Sequence, residues 1–323
     1  MSRAFDIFNG DADGLCALHQ LRLAEPRPEA ELVTGVKRDL KLLARLTSRA
    51  AAGDRLTVLD ISLDANRKAL DELLDRGCQV FYADHHFAGE LPASPGLTAH
   101  IDPDPEVCTA LIVDRLLKGR FRPWAVAAAF GDNLHETAIR AAREVGIEGE
   151  ELAVLRELGE LINYNGYGAT VADLHFPPQE LYLALKPYAD PWEFAHRSPA
   201  LAVLRQGFAA DLALARDCPP CRQGEGGRVY LFPAAPWSRR VAGVFSNEKA
   251  RERPELAHAL LVDNGEGTFM ASVRAPIADR RGADALCRQF PTGGGRAGAA
   301  GINALPAALR EQFINQFLAT FSR

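Results

Sequence analysis

Three apolar runs of strand length in the first ninety residues each deliver an acid at their end, and this recurrence constrains the fold more than any other feature of the chain. Ala4–Phe8 leads into Asn9, Gly10, Asp11, Ala12, Asp13 and Gly14; Arg55–Leu59 ends in Asp60; residues 78–81 run through Tyr82 and Ala83 into Asp84, His85 and His86. Helical periodicity follows the first two runs, through Leu15, Ala17, Leu18 and Leu21 and again over 64–76. Strand and helix in alternation predict an α/β domain built on an open, mostly parallel sheet flanked by helices. In such a sheet the loops after the carboxyl ends of the strands form the ligand crevice, so an acid there is in the expected place for a functional group. Solvated acids would have no reason to sit only at strand ends.

The residue types suggest what the crevice holds. Asp11 and Asp13, at i and i+2 between glycines on a strand-to-helix turn, can point into one site. For either acid alone, capping of the following helix is the plainer account. Adjacent side chains leaving a strand point in different directions, so His85 and His86 cannot both be core residues. One imidazole can ligate a divalent metal while its neighbour meets substrate, and a carboxylate beside them can fix the tautomer. A very apolar helix over 124–130 then delivers Gly131, Asp132 and Asn133. A carboxylate there opposes the helix dipole unless a cation lies close. His100, in a loop with Pro103 and Pro105, is either a further ligand or an ordinary polar loop residue.

At 323 residues the chain exceeds the usual size of one domain. We expect a first domain over 1–190, a connection over 191–226 marked by prolines 191, 199, 219 and 220, and a smaller α/β domain over 227–323. Other elements expected in the first domain are a strand over 30–36 and helices over 40–50, 106–117 and 151–161. The second should hold a strand over 229–232, a helix over 238–250, paired strands over 257–262 and 268–273 around Asn264-Gly265-Glu266-Gly267, and a helix over 284–290. Next come Gly293, Gly294 and Gly295, read as a loop whose bare amides cradle an anion at the start of a small-residue helix. An amphipathic helix over 307–321 closes the chain. Arg274, alternating with Ser272 on a strand, is a candidate phosphate contact.

A formal charge of −5 with both signs interspersed gives no footprint for tight binding along a duplex. No stretch has the apolar length of a membrane span and no basic-then-apolar leader opens the sequence, so a soluble, cytoplasmic protein is expected, with no membrane partner. The six cysteines read as reduced thiols. Cys218 and Cys221 form a CxxC without two further ligands nearby, which argues against structural zinc.

Taken in order, Asp11-Ala12-Asp13-Gly14, the Asp60 strand end, Asp84-His85-His86 and Gly131-Asp132 resemble the four motifs of the DHH phosphoesterase superfamily. The run from Thr292 through Gly293, Gly294, Gly295 and Arg296 to Gly301 resembles the glycine-rich signature of the DHHA1 domain that follows it in one subgroup. The resemblance spans residues 9–303. It implies a DHH domain and a DHHA1 domain across a cleft, and hydrolysis of a phosphoester or phosphoanhydride at two Mn²⁺ ions, with Mg²⁺ as the alternative. Oxygen ligands with imidazole suit those ions. By resemblance Asp11 and Asp13 each serve one metal, Asp60 bridges, and His85 and Asp132 ligate. Asp84 orients a histidine and His86 faces the phosphate, while Arg274, Gly293, Gly294, Gly295 and Arg296 hold substrate. Two positions depart from the pattern. Asn9 stands in the region where many members carry a histidine ligand, and Arg296 stands where a histidine commonly helps hold substrate. The chain has the length of the compact oligoribonuclease and pAp-phosphatase type, which implies a small phosphorylated nucleotide, a short oligonucleotide or a cyclic dinucleotide as substrate and, by analogy, a homodimer. The alternatives are a single-strand exonuclease of the RecJ type and a non-catalytic nucleotide- and metal-binding protein with a degenerate site.

Overall fold

A computed structural model describes residues 2–322. It divides into two compact units, 1–206 and 207–323.

The first unit is built on a five-stranded, all-parallel sheet: β1 (Ala4–Phe8), β2 (Glu31–Val33), β3 (Arg55–Leu59), β4 (Gln79–Asp84) and β5 (Leu97–Ile101), in the order β2-β1-β3-β4-β5. Parallel strands are covered on both faces. On one face lie α2 (Leu63–Asp75) and a 3₁₀ turn, Leu43–Arg45. Here Phe5, Ile7, Leu42, Leu43, Leu46, Val58, Leu70, Leu73, Val80 and Tyr82 form a dry core. The remaining helices are α1 (Ala12–Ala24), α3 (Thr109–Leu116), α4 (Arg122–Gly131), α5 (His135–Arg143), α6 (Gly149–Asn165), α7 (Pro178–Leu185), α8 (Pro191–Arg197) and α9 (Pro199–Arg216). α4 packs among α1, α3, α5 and α6, which explains why Trp124–Phe130 is apolar on every side. The division between the units falls within α9, and residues 191–226 are mostly helical.

The second unit has a mixed sheet: β6 (Arg222–Gln223), β7 (Gly227–Phe232), β8 (Ala257–Asp263), β9 (Thr268–Arg274), β10 (Gly293–Arg296) and β11 (Ala299–Pro306), in the order β10-β11-β9-β8-β7-β6. β7 and β8 pair in parallel, and the other neighbours pair antiparallel. Alternate residues of β9, Phe269, Ala271 and Val273, face a core shared with α11 (Ala283–Cys287) and α12 (Arg310–Thr320). The long α10 (Pro236–Glu252) sets Phe245 against Tyr230 and Phe232.

Four expectations need correction. The helix expected over 40–50 is only the 3₁₀ turn, because the buried Asn66 side chain takes the backbone groups a helix would use. Its Oδ1 accepts from Leu43 N (3.3 Å) and its Nδ2 donates to the carbonyls of Leu40 and Ser62. The strand over 30–36 shortens to β2. His100 belongs to a strand, β5, where it pairs with Ala83 and lies against Phe81. The glycine run is also no loop before a helix. Gly293, Gly294, Gly295 and Arg296 form β10, paired antiparallel with β11 through Ile302, Gly301, Ala300 and Ala299. Close approach demands a glycine at Gly295, which has φ 136° and whose missing Cβ would lie 2.5 Å from Ala300 Cα. Among the described residues no helix is long and apolar enough to cross a membrane.

Candidate metal centre

The carboxyl ends of β1, β3 and β4 and the end of α4 bring five acids and two imidazoles together. After β1 the chain turns tightly at Gly10, where a Cβ would lie 2.0 Å from the Gly35 carbonyl oxygen. Asp11 then caps α1, its Oδ1 accepting from the amides of Asp13 and Gly14 at 3.1 Å each. Asp13, in the first turn, accepts from Thr109 N and Ala110 N at the start of α3, 2.7 Å each. Both Asp13 oxygens are therefore fixed in direction by helix amides. Asp60 closes β3 in the left-handed region, φ 57°, with its amide donating to Ala83 O. A non-glycine residue in that region is uncommon and turns the carboxylate away from the strand line.

His85 is the point of convergence. Its Nδ1 lies 2.9 Å from the Val107 carbonyl, which only accepts, so Nδ1 carries a proton and Nε2 is left facing the acids. Nε2 lies 3.5 Å from Asp60 Oδ1, 3.8 Å from Asp132 Oδ2 and 4.0 Å from Asp13 Oδ2. His86 turns the other way: its Nδ1 donates to Asp84 Oδ1 at 2.7 Å, and its ring is 40 % exposed. That hydrogen bond raises the His86 pKa above its ordinary value, with burial acting against it. Asp84 itself is fully buried, and its Oδ2 has no hydrogen-bond partner among the described residues.

The electrostatics are those of a site short of positive charge. Burial, and then the acids Asp13, Asp11, Asp132 and Asp84, push the Asp60 carboxyl well above the usual range. Burial also raises Asp132, with Lys37 and His85 pulling down and Asp13 and Asp11 pushing up. The arrangement fits a divalent cation, because one imidazole converges with two buried carboxylates, Asp13 and Asp60, and the partly buried Asp132, and oxygen-rich sites of this kind suit Mn²⁺ or Mg²⁺. Among the described residues two sets of atoms could share an ion, Asp13, His85 and Asp132 in one and Asp60, His85 and His86 in the other. Cys218 and Cys221 belong to neither, and both are free thiols.

Sequence reasoning missed Lys37. Its Nζ lies 2.6 Å from Asp11 Oδ2, 3.3 Å from Asp132 Oδ1 and 3.1 Å from Asn163 Oδ1, with the Tyr167 ring beneath it at 5.5 Å. Burial pulls against the ammonium, yet Asp11, Tyr167 and Asp132 outweigh it and hold the Lys37 pKa well above its ordinary value. In return Asp11, despite its burial, is held below the usual carboxylate range by Lys37 and by the Gly14 amide. The signal was available, since Lys37 follows β2 as the acids follow their strands.

In the second unit, Arg274 and Arg296 line one pocket of about 410 Å³ with Asn247, Arg251, Ile277 and Arg280. Arg274 Nε donates to Asn247 Oδ1 at 2.8 Å and its Nη1 to Ser272 Oγ at 3.0 Å, which fixes the guanidinium plane. Gly293, Gly294 and Gly295 are not among the lining residues, and β10 is an edge strand.

Solved structures share this arrangement of elements along the whole chain. RecJ from Thermus thermophilus in complex with Mn²⁺ superposes with a TM-score of 0.66 at 20 % identity, over 98 % of this chain and 51 % of that one. An exonuclease RecJ bound to manganese gives 0.64 at 19 % identity, over 99 % and 90 %. The chain has the fold of the DHH phosphoesterases. A third DHH structure, the pGpG-specific phosphodiesterase PggH from Vibrio cholerae, gives 0.57 at 14 % identity and covers 98 % of both chains. The chain thus spans about half the length of the Thermus RecJ it matches. No family model matches the sequence, and no curated protein matches it.

Proposed function

We propose that this chain is a divalent-metal-dependent phosphoesterase that hydrolyses a short nucleotide substrate: a short oligonucleotide, pAp or a cyclic dinucleotide. The observation that carries the reading is His85 Nε2, turned toward the acids by the Val107 contact at Nδ1 and set within 4.0 Å of three carboxylates. That constellation costs the fold stability unless a cation completes it. Asp13, Asp60, His85 and Asp132 would hold the ion, Mn²⁺ or Mg²⁺. When bound, it neutralises charge on a phosphate and acidifies water.

The protein's own groups supply the rest. His86, whose pKa the Asp84 Oδ1 hydrogen bond raises, would offer an N–H to a phosphate oxygen or to a leaving oxygen. The Asp84 carboxylate holds that ring in one tautomer. Arg274, Arg296 and the two further arginines of their pocket suit an anion, with Arg274 pre-oriented for a forked phosphate contact. Two features favour a short substrate. The net charge of −5 provides little of the counterion release that sustains binding to long strands. PggH, a phosphodiesterase of pGpG, also matches the chain end to end.

The higher TM-scores of the two RecJ structures favour a second reading, a single-strand exonuclease. One experiment tests both readings: hydrolysis with Mn²⁺ on pAp, two-to-five-residue RNA, cyclic dinucleotides and long single-stranded DNA. Turnover of a short substrate that His85→Ala abolishes supports the proposal. Rates that rise with strand length and collapse with salt support the exonuclease, and inactivity on every substrate overturns both.

A further inference from the structure

We infer that Lys37 stands in for one of the two metal ions, so that this centre binds a single divalent cation per chain. The inference rests on reading the site as a metal centre. It starts from how completely the Lys37 ammonium is used. Three acceptors, Asp11 Oδ2, Asp132 Oδ1 and Asn163 Oδ1, lie within 3.3 Å of Nζ, which matches the three N–H bonds an ammonium has. Asp11 is spent in the process, one oxygen capping α1 and the other facing Lys37. Accordingly Asp11 appears in neither set of atoms that could share an ion.

Both of those sets contain His85. With Nδ1 committed to Val107 O, His85 has a single lone pair, on Nε2, and one lone pair ligates one ion. The two sets are therefore two descriptions of one binding place. Asp132 marks the border between the cations, with Oδ1 toward the ammonium and Oδ2 toward His85. The charge count agrees. Lys37 neutralises Asp11, and one divalent ion offsets two of the three remaining carboxylate charges, those of Asp13, Asp60 and Asp132.

Asn9 belongs to the same device. Buried and without an imidazole, it donates from Nδ2 to the Lys37 carbonyl at 3.4 Å, while the Lys37 amide donates to Gly166 O at 2.9 Å. These two bonds hold the backbone from which the ammonium reaches inward. The Asn9 Oδ1 has no hydrogen-bond partner among the described residues.

The test is metal stoichiometry and spin coupling. Full-length protein stripped of metal is loaded with Mn²⁺, desalted, and read by elemental analysis and low-temperature electron paramagnetic resonance. Wild type should hold one Mn²⁺ per chain and show an isolated hyperfine sextet. The double variant Asn9→His, Lys37→Ala should rise to two ions with a spin-coupled multiline spectrum. Two coupled ions in wild type would overturn the inference and leave the phosphoesterase reading standing. A folded double variant that still holds one ion would remove Lys37 from the account. Failure of wild type to bind Mn²⁺ at all would overturn the metal centre and this inference together. The wild-type stoichiometry decides the matter even if the double variant does not fold.

Discussion

Replacing Asp60 by asparagine should stabilise the metal-free protein while removing its response to metal. Asp60 Oδ1 and Asp13 Oδ2 lie 3.5 and 4.0 Å from the same His85 nitrogen, so they are at most about 7.5 Å apart, and an ionised pair at that distance costs about 2 kcal/mol at an effective dielectric near 20. Asp132 Oδ2, 3.8 Å from that nitrogen, adds a repulsion of similar size, about 2 kcal/mol. Against this, asparagine forfeits little. The Thr109 hydroxyl contact is long, 3.4 Å, and asparagine tolerates the left-handed backbone, φ 57°, at least as well as aspartate does. The net expectation in EDTA at pH 7 is a gain of roughly 2–4 kcal/mol, measured by urea denaturation. The pH dependence has a definite sign. The folded pKa of Asp60 is raised, so the folded wild type binds more protons than the unfolded chain above the ordinary carboxylate value, and its deficit grows as pH rises from there. The advantage of the variant should therefore shrink as pH falls toward 4. Saturating Mn²⁺ should reverse the order, because wild type gains about 2.7 kcal/mol at a hundredfold excess over Kd and the variant much less. A variant less stable than wild type in EDTA would refute the reasoning, since Asp60 would then be a net stabiliser with no shortage of positive charge around it.

Three further outcomes are expected. His85→Ala should lower Mn²⁺ affinity by at least tenfold, about 1.4 kcal/mol, in a calorimetric titration, because it removes the imidazole common to both sets of atoms that could hold an ion. His19 is buried, 2.7 Å from Tyr188 O and edge-on to Trp124, and burial, partly opposed by that bond, lowers its pKa to about 4. A depressed histidine contributes stability that is complete above about pH 6.5 and is lost as pH falls toward 4; the loss amounts to about 3 kcal/mol, and denaturation at stepped pH should show it flattened in His19→Gln. Arg274→Ala and Arg296→Ala should each raise KM for the phosphorylated substrate about tenfold while kcat changes less, as steady-state kinetics would show.

The acids were legible because parallel strands make them so. β1 and β3 end where their apolar runs end, so Asp11, Asp13 and Asp60 could be placed by counting, and Asp84 to His86 by the run before them. Illegible parts failed for local physical reasons. β5 carries Thr98 and His100 and sits at the sheet edge, half covered, so it lacks the apolar run that a buried strand shows. The paired ends of β10 and β11 are mostly glycine and alanine, residues depleted in strands, and β11 pairs in turn with the neighbouring β9. The periodicity of Leu42, Leu43 and Leu46 is real, but it records packing on the sheet; a side chain from α2, Asn66, prevents the helix. Lys37 follows its strand as the acids follow theirs, but a lysine there looks like a solvated charge until the sheet order is known.

Strand order then explains why the cluster has two unlike ends. Crossing the sheet from β2 to β1, β3 and β4, the residues that follow each strand are Lys37, Asp11 with Asp13, Asp60, and His85 with His86. The chain reverses direction across the sheet between β1 and β3, and a crevice opens at such a switch point. An ammonium therefore stands on one flank of the crevice and an imidazole on the other, with carboxylates between them, as separate consequences of separate strands. Asp132 touches both ends, and it arrives from α4, outside the sheet. Its position after an apolar helix, unfavourable for a carboxylate by the dipole alone, is compensated on both sides: Lys37 at 3.3 Å and His85 at 3.8 Å. The sheet thus sets the sequence of charges, and one residue from the helical layer couples them into a single centre.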